Sequence, residues 1–133
     1  MVKILIVEDD PLIMRLYQKI FTFEGFEVIL ATNGEEGLEK ARSVKPTVIL
    51  LDIMMPKMNG LELLIKLKVD TQTQKIPVVM LTNLAGTHDA EKALSEGAIK
   101  YIIKSEFAPK QVVNMVKEII AGYTRNDIPK TAT

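Results

Sequence analysis

Thr47-Val48-Ile49-Leu50-Leu51-Asp52 is a short aliphatic run cut off by a carboxylate. It lacks the apolar–polar alternation of a strand with one wet face. A run this short, apolar and rich in β-branched residues suits a strand covered on both sides, as in a parallel sheet. Four more runs of strand length share the pattern, at Val2–Val7, Phe26–Ala31, Ile76–Leu81 and Ala98–Ile103. Helical periods lie between them. Leu12, Ile13, Leu16, Tyr17 and Ile20 form one apolar stripe, and Val112, Val113, Val116, Ile119 and Ile120 another. Shorter stripes occupy Gly34–Ser43, Leu61–Lys68 and Thr87–Glu96. Strand and helix thus alternate five times, which predicts a doubly wound α/β fold: a five-stranded parallel sheet with right-handed crossovers and five helices on both faces.

The punctuation agrees. Asp10-Pro11 reads as an N-cap followed by proline at the first helical position. Gly25 and Gly97 close helices, Asn33-Gly34 turns into one, and Pro77 opens a strand, where its missing N–H does least harm. From about Tyr123 the periodicity stops. The expected organisation is one domain over residues 1–122 and a polar tail over 123–133.

Composition narrows the function. The 133 residues are 47% hydrophobic and 26% charged, enough for a core and unlike a disordered chain. Seventeen basic residues balance seventeen acidic ones, so no whole-chain field attracts nucleic acid or an anionic membrane. Cysteine is absent, which excludes disulfides, thiol catalysis and thiolate metal sites, and the single His88 excludes a multi-histidine centre. The first apolar run ends at Glu8-Asp9-Asp10, too soon for a signal-peptide core or a membrane span. The expectation is a cytoplasmic domain with no membrane insertion and no direct nucleic-acid contact.

In an open α/β sheet, ligands bind beyond the carboxyl ends of the strands. Glu8, Asp9 and Asp10 follow the first strand and Asp52 the third; Thr82 ends the fourth and Lys104 follows the fifth. If strands one and three are neighbours, Glu8, Asp9 and Asp52 converge and repel unless a cation intervenes. An all-oxygen set favours a hard divalent ion such as Mg²⁺. Asp10, beside Pro11, reads instead as a helix cap. A strand-end threonine or lysine taken alone is more often an ordinary turn residue or a solvated charge; their coincidence with Asp52 reverses that judgement. Methionine at 54, 55 and 58 reads as gap-filling, and His88 receives no role.

Together the acidic cluster, the stretch Asp52-Ile53-Met54-Met55-Pro56-Lys57-Met58-Asn59-Gly60, Thr82 and Lys104 closely resemble the receiver domain of bacterial two-component response regulators. The resemblance covers roughly residues 1–122 and implies a flavodoxin-like sheet of order 2-1-3-4-5. It implies that Asp52 accepts a phosphoryl group from a sensor histidine kinase or a phosphotransfer protein. It implies Mg²⁺ held by Asp9, Asp52 and the Met54 carbonyl, with Glu8 acting through water. Thr82 and Lys104 would hold the phosphoryl oxygens, and Tyr101 would follow the threonine. A downstream protein would dock on the face of helix four, strand five and helix five. The chain would be no enzyme beyond its own phosphorylation and slow dephosphorylation, and it reads as a stand-alone, chemotaxis-regulator-like receiver.

The sequence departs from the family pattern after Lys104, where Ser105 replaces the usual proline of a cis bond. A non-proline cis bond costs about 2.5–4 kcal/mol, so this loop is either strained or differently routed. Asn83 replaces a smaller residue after Thr82. Met54 and Leu84, two residues beyond Asp52 and Thr82, are both apolar, with neither an acid nor an amide to orient a hydrolytic water, which predicts a phosphorylated state that outlasts that of a variant carrying Met54→Asn and Leu84→Glu. Three other functions compete. A haloacid-dehalogenase-type phosphatase wants an acid where Met54 stands. A flavodoxin-like electron carrier wants a phosphate loop where Glu8-Asp9-Asp10 would repel one. A degenerate receiver would act as a scaffold without phosphorylation.

Overall fold

A computed structural model describes residues 2–55, 58–83 and 87–126. The elements are β1 (Lys3–Val7), α1 (Pro11–Phe23), β2 (Glu27–Ala31), α2 (Gly34–Val44), β3 (Val48–Leu51), α3 (Gly60–Val69), β4 (Val78–Thr82), α4 (Thr87–Ser95), β5 (Lys100–Ile103) and α5 (Pro109–Asn126). The strands form one parallel sheet in the order β2-β1-β3-β4-β5. The element count is the one the sequence predicts, and the strand order is the one its family resemblance implies.

Side chains alternate across the sheet and build two cores. Leu5, Val7, Ile49, Leu51, Val78 and Met80 face Ala41 of α2, Leu63, Leu64 and Leu67 of α3 and Ala93 of α4. Ile4, Ile6, Val48, Leu50, Val79, Leu81 and Ile102 face Tyr17 and Phe21 of α1 and Val112, Val113 and Val116 of α5. Covering both faces explains why β3, and β4 up to its last residue Thr82, are apolar: every residue of either strand is buried.

Caps fix the loops at the carboxyl edge. The Asp10 carboxylate accepts from the N–H groups of Leu12 (2.9 Å) and Ile13 (3.3 Å), starting α1 directly after the acidic cluster. Asn59 and Glu62 form a reciprocal capping box at the start of α3. Gly97 adopts φ +112°, which a side chain rarely tolerates, and ends the turn after α4.

Two features differ from expectation. The α5 helix runs on to Asn126, past Tyr123, because each further helical residue adds a backbone bond at little cost once the helix is nucleated. After β5 the chain takes the differently routed option: Lys104–Glu106 form a 3₁₀ turn, and no cis peptide bond occurs among the described residues. Pro56, Lys57, Leu84 and the tail over 127–133 lie outside the described residues. Among those described, no helix is long and apolar enough to cross a membrane.

Candidate functional site

The parallel register brings the strand ends together. β1 and β3 are neighbours paired Val7 to Leu51, so the residues that follow them, Glu8 and Asp52, emerge side by side. The Asp52 N–H donates to the Val7 carbonyl at 3.2 Å, and the Glu8 N–H to the Ala31 carbonyl at 3.0 Å. Both carboxylates are buried, at 4% and 7% exposure, while Asp9 is exposed beside them. One ligand oxygen from each of the three lies within 4.8 Å of the others.

Lys104 reaches in from the far strand. Its Nζ donates to Glu8 Oε1 at 2.7 Å and to Asp52 Oδ2 at 3.2 Å. The second oxygens are held by backbone: Asp10 N–H donates to Glu8 Oε2 at 3.1 Å and Met54 N–H to Asp52 Oδ1 at 3.1 Å. Burial raises the Glu8 carboxyl above its ordinary value, and the nearby Asp52 charge pushes the same way, against the pull of Lys104. Burial also works against the Lys104 ammonium. Its bond to Glu8 and the charges of Asp52 and Glu8 prevail, and its pKa rises. The amine therefore stays a cation.

These groups open into a pocket of about 280 Å³ lined by Glu8, Asp9, Asp10, Ile13, Asp52, Met54, Asn83 and Lys104. A larger groove of about 610 Å³ runs along the outside of α1, past Leu12, Arg15, Leu16 and Lys19, but holds no carboxylate. Chemistry gathers in the smaller pocket. Thr82 is fully buried at the end of β4, opposite Ile103. Tyr101 is half-buried in β5 opposite Met80, against the α2–α3–α4 core; burial and the charges of Asp89 and Asp52 raise its phenol.

The donor set tests the expected metal. Three carboxylates contribute only oxygen, two of them sit in low dielectric, and one ammonium meets three negative charges. Such a set fits a hard divalent cation such as Mg²⁺. Glu8 is also the nearer partner of Lys104, at 2.7 Å against 3.2 Å for Asp52.

Two contributors escaped the sequence analysis. Gly60, after the Asn59 cap, presses on the backbone leading from Asp52. A Cβ there would fall on the Asp52 carbonyl oxygen and lie 2.7 Å from Ile53 Cα. The Gly60 N–H also donates to the Ile53 carbonyl at 2.9 Å, which ties the nucleus of α3 to the Asp52 loop. The Asn59-Gly60 pair signals a turn, but not this approach. Tyr17 is buried within the electrostatic reach of Glu8 and Lys104. Burial raises its phenol, and its helical stripe reads only as core.

A family model described as the response regulator receiver domain matches residues 4–117. The alkaline phosphatase synthesis transcriptional regulatory protein PhoP of Bacillus subtilis is 39% identical over 118 residues, covering 89% of this chain and 48% of that protein. The DNA-binding response regulator MtrA of Mycolicibacterium smegmatis is 35% identical over 115 residues, 86% of this chain and 49% of its own. This chain thus spans about half the length of those relatives. A CheY-like receiver domain protein from Methanospirillum hungatei superposes with a TM-score of 0.88 at 32% identity, over 95% of this chain and 98% of that one.

Proposed function

The chain belongs to the response regulator receiver family, and from that premise we propose that Asp52 is the phosphoacceptor of a two-component relay. Receivers of this family work with histidine kinases and downstream effectors, and phosphorylation and Mg²⁺ are typical of them. The observation that carries the assignment is the meeting of Asp52 with Lys104, Glu8 and Asp9 in one open pocket.

Phosphoryl transfer asks for alignment and charge neutralisation more than covalent work. An Asp52 oxygen attacks the phosphorus of a phosphohistidine; the P–N bond breaks and the imidazole leaves with the bonding pair. The Met54 N–H, bonded to Oδ1, fixes the carboxylate plane while the other oxygen faces Lys104. Asp9, Asp52 and the Met54 carbonyl, with Glu8 acting through water, would hold Mg²⁺, whose positive charge would offset the approach of two anions. Lys104 turns from the carboxylates to the new phosphoryl oxygens, and the Thr82 hydroxyl supplies a second donor. Thr82 and Lys104 end the neighbouring strands β4 and β5, so their shift biases the α4–β5–α5 face. Leu94, Ile99 and Phe107 are exposed there, which suits a protein effector. On this reading the chain catalyses no turnover beyond its own phosphorylation and dephosphorylation, and we place it in the cytoplasm as a signalling module.

Incubation with Mg²⁺ and acetyl phosphate, followed by intact mass, tests the reading. Wild type gains one phosphoryl group, and the gain disappears without Mg²⁺. Uptake by Asp52→Asn equal to wild type would remove Asp52 from the reaction.

A further inference from the structure

Met54 is 58% exposed at the mouth of the acidic pocket, two residues beyond the buried Asp52. Its neighbour Met55 is only 7% exposed, and Met58 is half-buried against Gly34. Met80 is buried in the α2–α3–α4 core, Met14 is buried on α1, and Met115 is half-buried. Among the described methionines, the one beside the reactive carboxylate is therefore the one that solvent reaches most freely. It shares a mostly polar lining with Asp9, Asp10, Asn83 and Lys104, in which Ile13 is the one aliphatic side chain among the described residues. A thioether there gains little from packing. It has one property that Leu or Ile would lack: it can become strongly polar without a change in chain length.

We infer that Met54 is a redox-sensitive site at the pocket mouth, and that its oxidation shortens the life of the phosphoryl group on Asp52. The second half rests on the proposed function; the first does not. The oxidant is a hydroperoxide. A sulfur lone pair attacks the terminal peroxide oxygen, the O–O bond breaks, and water or an alcohol leaves. Sulfur loses two electrons and the peroxide gains them. The sulfoxide oxygen is a strong acceptor in the lining of the pocket that Asp52 shares. It can hold the water that hydrolysis needs, or draw on Lys104, and either shortens the life of the phosphoryl group. A methionine sulfoxide reductase would reset the site, which makes the change a switch rather than damage.

Graded hydrogen peroxide on the folded protein, then proteolysis and peptide mass mapping, reads the site directly. The expected result is Met54 sulfoxide at concentrations that leave Met55, Met58 and Met115 intact; oxidation of Met58 or Met115 as early as Met54 overturns the assignment. Phosphate release is then followed from protein loaded with acetyl phosphate before and after peroxide. Wild type should speed several-fold on oxidation and recover after reductase treatment. Met54→Leu should release phosphate at one rate with or without peroxide. Met54→Gln, a permanent polar stand-in, should match oxidised wild type. Equal release from reduced and oxidised wild type overturns the switch while leaving the phosphoacceptor intact. A reduced protein that accepts no phosphoryl group overturns the Asp52 reading and the lifetime claim with it, and the peptide map still decides the site.

Discussion

Two lysine–carboxylate clusters sit at opposite poles of the sheet and behave in opposite ways. At the carboxyl edge, Lys104 serves Glu8 and Asp52, with Asp9 beside them: three acids to one base, and most of it buried. At the other end, Glu24 at the close of α1 accepts from Lys110 and Lys117 of α5, each at 2.7 Å. That is one acid to two bases, with both lysines in solvent. Burial drives the Glu8 carboxyl up, whereas the two lysines hold Glu24 down at about 2. The distal clasp is complete, since each charge has water or a partner. The site pole is left with surplus negative charge in low dielectric, an arrangement that costs stability and persists where a cation or an incoming group completes it.

The largest test removes the centre of the incomplete cluster. Asp52→Asn should abolish phosphoryl uptake on intact mass while leaving the Glu24 clasp and the fold untouched, as far-UV circular dichroism would report. Next, Asp9→Asn should weaken Mg²⁺ binding by more than the roughly tenfold that loss of a supporting partner costs; equal affinities in a calorimetric titration would take Asp9 out of the ligand set. Gly60→Ala forces a methyl onto the Asp52 carbonyl and should lower stability by about 1–3 kcal/mol in urea unfolding, with Mg²⁺ affinity falling alongside.

The smallest effect belongs to the complete cluster. Glu24 titrates lower in the folded chain than its ordinary value of 4.5. Its ion pairs therefore contribute stability above about 4.5, and that contribution fades as pH falls toward about 2. Exposed pairs are screened, so Glu24→Gln should lose a little stability near neutrality and at low salt only. A thermal melt showing the same deficit at pH 2 or in molar salt would contradict this.

The comparison also shows what a sequence displays and what it hides. Asp52 announces itself because it breaks an aliphatic run, and Asp10 because proline follows it; local chemistry carried both. The order of strands came through the family resemblance, and the structure agrees. Bonds across the chain left no local trace. Nothing near Glu8 says that it, rather than Asp52, takes the shorter bond from Lys104, and nothing near Glu24 points to Lys110 and Lys117. Gly60 shows only as half of an Asn-Gly turn, because its contact is with backbone brought in by β3. Serine after Lys104 leaves two routes open, and only the folded chain displays the 3₁₀ turn that keeps the ammonium in the pocket.

The bond between Glu8 and Lys104 closes a span of 96 residues. A nascent chain that has passed Asp52 carries every acid of the site and no lysine to steady them. Long-range contacts of this kind form after local ones, so the pocket becomes competent only when β5 docks against β4. A polypeptide stalled or clipped before that strand would display the aspartates yet answer no signal. Assembly of the charge cluster thus waits on the last strand of the sheet, because Lys104 follows β5 directly.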